Sequence, residues 1–173
     1  FTPMQISFTP CAESEKEKII AMVENGASVM SVHHNYPYCK VDYVFLSNMR
    51  KARDFVQYKD AIKIATSNIR SEIGNHVVDY TALLNDVEGV KDNAGLMAIK
   101  LLIMAGAKKI YLAGFDGYSY DISENYTKGN ETVIYKKQQI DSLNSGMNIV
   151  LNSLKNEADI EFLTTPKHLK IEG

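Results

Sequence analysis

Small hydroxyl and amide side chains recur at one kind of place in this chain, directly after short apolar runs. His33, His34 and Asn35 follow the run at 27–32, Ser47 and Asn48 follow 42–46, and Thr66, Ser67 and Asn68 follow 61–65. Gly114, Asp116 and Gly117 follow 109–113, and Thr164 and Thr165 follow 160–163. Open parallel sheets take ligands in the crevice outside the carboxyl ends of their strands. A rim of neutral donors and acceptors there suits a nucleotide base, a ribose or a sugar. The same residue types also cap turns and helices, so a purely structural role for these polar ends is the competing reading.

Two further groups could handle charge. Asp92, Asn93, Ala94 and Gly95 open an apolar stretch, and backbone N–H groups at a helix start, with a glycine in the first turn, give a phosphate a close approach. Asp116, in Gly114-Phe115-Asp116-Gly117, could bind a ribose hydroxyl, hold Mg²⁺ or move a proton, or simply form an Asp-Gly turn. Tyr118, Tyr120 and Tyr126 follow it, and phenols hydrogen-bond phosphates and stack on rings. Neither GxGxxG nor GxxxxGK[ST] occurs, so the usual dinucleotide and P-loop signatures are missing. The four histidines show no HxH or HExxH spacing, which argues against a zinc site. If the chain stays extended through His33 and His34, at most one of them faces the crevice. No GxSxG context supports a serine nucleophile.

The elements that must position these residues alternate apolar runs with amphipathic stretches, the pattern of an α/β domain with a mainly parallel sheet. The spacing predicts helices over 13–25, 94–105 and 133–156, the last with a candidate break near Gly146, and strands over 27–32, 42–46, 61–65, 76–83, 109–113 and 160–163. The opening residues 1–10 are given no element. Helix 94–105 is apolar almost all round and so is expected to be buried on most sides. Residues 114–131 are polar, tyrosine-rich and aperiodic, which reads as a long lid loop.

The 173 residues carry 19 Lys and Arg against 21 Asp and Glu, a formal charge of −2, with 45% apolar residues. That suits one ordinary domain and excludes collagen, extended disorder and a disulfide-stapled miniprotein. Blanket neutralisation of a nucleic acid backbone does not fit so balanced a charge. The longest uncharged apolar stretch, 101–107, is far short of the roughly 20 residues that span a bilayer. Two cysteines without CxxC spacing point to a reduced, cytoplasmic setting. A first residue Phe1 reads as a piece of a longer polypeptide.

Asp92-Asn93-Ala94-Gly95, the apolar helix, and then Lys109-Ile110-Tyr111-Leu112-Ala113-Gly114-Phe115-Asp116-Gly117-Tyr118 resemble the central motif of the sialyltransferase-like Rossmann group. That group includes bacterial CMP-sialic acid sialyltransferases and 6-hydroxymethylpterin diphosphokinase-like proteins. Asn35, Val44-Phe45-Leu46-Ser47-Asn48 and Thr66-Ser67-Asn68 fall in similar order, so the resemblance runs from about residue 27 onward. It implies a Rossmann-like three-layer sandwich binding a nucleotide or nucleotide-sugar, with glycosyl or diphosphoryl transfer in surface-polysaccharide metabolism as the activity.

By position, Asn35, Asn48, Ala94, Gly95, Gly114 and Tyr118 would inherit the nucleotide contacts, with Ser47, Ser67, Asn68, Asn93 and Thr165 beside them. Asp116 and Tyr135 would be the candidates for proton transfer, Tyr135 falling near the group's catalytic histidine, and Asp116 is the candidate Mg²⁺ ligand. The glycine-rich first strand-turn of the group is missing. Similar domains also form the C-terminal part of HMG-CoA-lyase-like or 4-hydroxy-2-oxovalerate-type aldolases. This implies the alternative of a non-catalytic accessory domain with oligomer contacts, whose catalytic barrel lies elsewhere.

Overall fold

The structure is a computed structural model that describes residues 4–7, 13–33, 36–121, 135–163 and 165–172. In chain order the elements are β1 (Met4–Ser7), α1 (Glu13–Glu24), β2 (Ser28–Val32), β3 (Tyr43–Leu46), α2 (Ala52–Val56), β4 (Ile62–Thr66), β5 (His76–Val78), α3 (Tyr80–Leu83), α4 (Ala94–Met104), β6 (Lys109–Ala113), α5 (Lys137–Leu154) and β7 (Asp159–Phe162). Short 3-10 turns at Met49–Lys51 and Ser71–Ile73 complete the list.

Among the described residues, seven strands form one sheet in the order β5-β4-β3-β2-β1-β6-β7, and every neighbouring pair is parallel. The chain therefore winds outward from β1 to β5, then returns to the other side of β1 for β6 and β7, an α/β arrangement consistent with a Rossmann-like fold.

Strand residues alternate between two cores, as the two-residue period of a strand requires. Met30, Val32, Phe45, Ile110 and Leu112 face one cluster with α4 and α5, built around Leu96, Met97, Ile99, Met147 and Leu151. Val29, Val44, Leu46, Ala65 and Ala113 face a second cluster that takes in Ile19 of α1 and Phe55 of α2. Helices thus cover both faces. The apolar α4 is buried through Gly95, Leu96, Met97, Ala98, Ile99 and Leu102, while Lys100, its one cation, reaches the carbonyl of Leu84 at 2.7 Å.

Four expectations need correction. Residues 4–7, given no element, form β1, which pairs with both β2 and β6 in the sheet interior. The expected strand over 76–83 stops at Val78. The Asp79 carboxylate accepts the Thr81 N–H at 3.0 Å and so starts α3, an N-cap that turns the chain out of extended geometry. The last helix begins at Lys137 rather than 133, where the Gln139 side chain accepts the Lys136 N–H at 2.8 Å. It also runs unbroken through Gly146. There a Cβ would come 2.9 Å from Val90 Cγ2, so this glycine makes room for a packed neighbour instead of breaking the helix. Residues 114–121 of the expected lid have no regular structure, and the rest of it lies outside the described residues, as do Asn35, His34 and Thr164.

Candidate functional site

The carboxyl end of β2 leads to His33, whose φ of 63° makes it the one non-glycine with positive φ among the described residues. Imidazole tolerates that region better than bulky side chains do. The kink aims His33 at the next strand end. Its Nε2 accepts the Ser47 N–H at 3.0 Å and lies 3.1 Å from Ser47 Oγ. A backbone N–H can only donate, so Nε2 carries no proton in this arrangement.

Beyond β3, buried Ser47 is followed by Asn48, whose Oδ1 accepts the Arg50 N–H at 3.0 Å and starts the 3-10 turn that presents Arg50 and Lys51. At the end of β4, Thr66 Oγ1 donates to Asn68 Oδ1, while Asn68 Nδ2 donates to the Ser47 carbonyl at 3.2 Å. Neighbouring strand ends are tied together by these bonds. Ser67 Oγ accepts the Tyr80 N–H at 3.0 Å and so holds the start of α3.

At the head of α4, Asn93 Oδ1 accepts the N–H groups of both Gly95 and Leu96 at 3.1 Å. Two first-turn donors that the sequence offered to a phosphate are therefore taken by the protein's own cap. Tyr118 packs edge-to-face on Tyr135 with ring centroids 5.5 Å apart. Burial above all, then Tyr135 and Asp92, push the Tyr118 phenol up to about 12, against the opposing pull of Asn93. Tyr80 donates its O–H to Asp92 Oδ2 at 3.1 Å, and its phenol is raised by partial burial and then by that carboxylate.

These residues converge on one cleft of about 500 Å³. Of the residues proposed from sequence, Ser47, Asn48, Asn68, Asn93, Ala94, Tyr118 and Tyr135 line it. Ser67, Gly95, Gly114, Asp116 and Thr165 are not among its lining residues. Gly95 is buried within α4. Gly114 and Gly117 both take positive φ, and a Cβ on Gly117 would meet Asn144 and Leu169 at 2.8 Å, so this turn is pressed against α5 and the C-terminal segment. Asp116 accepts the His168 N–H on its backbone carbonyl at 2.9 Å. Among the described residues no group of three His, Cys, Asp or Glu converges as a metal site, and none of the helices is long and apolar enough to cross a membrane.

His33 and Asp92, which the sequence places on the strand-end rim and at the helix start, also line the cleft, as do Arg50, Lys51 and Tyr80, which were not selected from sequence. Arg50 and Lys51 directly follow the chosen Ser47-Asn48 pair, and a basic pair just past a strand end is the signal that could have found them. The turn of His33 out of extended geometry leaves no mark in the residue types. Chemically, the cleft offers neutral amides and hydroxyls from three strand ends, two cations on one wall, and one carboxylate held by a phenol. No model of a known protein family, no curated protein and no solved structure matches this chain.

Proposed function

We propose that this cleft binds a nucleotide or nucleotide-sugar, in a domain similar to the sialyltransferase-like Rossmann group. One observation carries the reading. The polar ends of β2, β3 and β4, the start of α4 and the tyrosine after β6 meet in a single cleft with Arg50 and Lys51 on its wall. Amides and hydroxyls match a base and ribose, whereas the two cations give a net positive wall, after Asp92, for phosphates. The volume falls in the range of small-molecule sites, roughly 300–1,000 Å³. For transfer of a glycosyl or diphosphoryl group, Tyr135 is the better-placed proton-transfer candidate, since it lines the cleft and Asp116 does not.

A ligand panel of CMP, UDP-sugars and ATP tests this by thermal unfolding. A binder present at 100 times its Kd stabilises the fold by about 2.7 kcal/mol, and that upward shift is expected from at least one member. No shift from any of them at millimolar concentration refutes the proposal.

A second reading is favoured by the bonds themselves, because Asn48, Asn68 and Asn93 all cap or tie backbone. If they do nothing else, Asn68→Ala lowers stability by about 1 kcal/mol and there is no ligand effect to lose.

A further inference from the structure

A second cleft, of about 510 Å³, lies between the Tyr118 segment, α5 and the C-terminal segment, and Tyr118 lines both clefts. Its chemistry differs from the first. One carboxylate, Asp141, one ammonium, Lys170, and the imidazole of His168 stand along its lining, and the remaining polar groups are amides and hydroxyls, among them Ser145 and Asn148. Such a lining does not select for phosphate. It provides both donors and acceptors, which is what a ring of sugar hydroxyls needs.

The cleft also carries an aromatic platform held in place. Tyr120 is 56% exposed, yet its hydroxyl bonds Asp141 and Lys137 Nζ sits 4.9 Å from its ring centroid. An exposed ring fixed from two positions on α5 loses little freedom when a ligand packs on it, which favours binding. The floor is equally rigid. Asn144 accepts the Tyr118 N–H and donates to the Tyr118 carbonyl, both at 2.7 Å, and Asn148 Oδ1 accepts the Lys170 N–H at 2.8 Å. Among the described residues, Asn148 Nδ2, Ser145 Oγ and Lys170 Nζ carry no hydrogen bond, so they retain capacity for a ligand.

We infer that this second cleft binds a neutral saccharide, with Tyr120 as stacking platform and Asp141, Ser145 and Asn148 as hydroxyl partners. The inference deepens the nucleotide reading and rests on it for one point only, that the sugar lies beside a nucleotide across Tyr118.

Amide-resolved NMR titration of the full chain separates the two. The probes are glucose, galactose, N-acetylglucosamine, lactose and maltose in one arm, CMP and UDP in a second, and inorganic phosphate in a third. At least one saccharide is expected to move the amides of Tyr120, Ser145, Asn148 and Lys170. Tyr120→Ala and Ser145→Ala should each weaken that binding about tenfold, the loss of roughly 1.4 kcal/mol of contact, with the rest of the spectrum unchanged. Saccharide shifts confined to other amides, no shift with any saccharide, or shifts at these amides with phosphate alone would overturn the inference. CMP and UDP should instead move Ser47, Lys51 and Asn93. A silent nucleotide arm beside a positive saccharide arm contradicts only the first cleft's assignment.

Discussion

Tyr118 concentrates the site's chemistry in one residue, lining the cleft with Asn93, with Tyr135 against its ring and Asn144 on its backbone. Its phenol is pushed up to about 12, above the value of about 10 for an unfolded tyrosine. The folded state therefore holds this proton more tightly than the unfolded state does. The resulting stabilisation is fully present below pH ~10 and is lost as pH rises toward about 12. A phenolate absorbance titration should show a late step near the upper value that Tyr118→Phe removes. Superimposable curves for the two proteins would contradict the assignment. Residue types made Tyr118, Asn48 and Asn93 legible, because each follows or opens a recognisable run. The cap by Asp79 and the turn at His33 were not, since both are local backbone geometry that periodicity does not record.

At the scale of elements, the helix-to-strand return from α4 to β6 could be read directly, because a nearly all-apolar helix followed by a short apolar run leaves little choice of placement. The central strand β1 could not. Four residues carry too few side chains for a period, and its place depends on partners more than twenty residues away in sequence. Gly146 shows the same limit, since its reason lies in Val90 on a separate segment. Gly146→Ala should gain helix propensity yet lose more by overpacking against a stiff β-branched neighbour, a net destabilisation of about 1 kcal/mol. Gly117→Ala should cost more, about 2 kcal/mol or above, since positive φ and a 2.8 Å contact act together. Asn93→Ala removes a cap from two N–H groups and is expected to cost about 1 kcal/mol. Urea unfolding of the three variants measures all of these, and wild-type stability in Asn93→Ala would show that the cap contributes nothing.

For the whole molecule, the parallel sheet does the positioning. It brings β2, β3 and β4 to end side by side, so that residues more than thirty positions apart share one cleft with the head of α4. Charge is distributed the same way. A chain near neutrality overall places Arg50 and Lys51 together on the wall of that cleft, a local concentration of positive charge. The direct test is a crystal structure of the chain with a nucleoside diphosphate. Density for phosphates is expected against Arg50 and Lys51, with base or ribose against Asn48, Asn68 or Tyr118. Density for the nucleotide elsewhere on the molecule, or an empty cleft at saturating ligand, would contradict it.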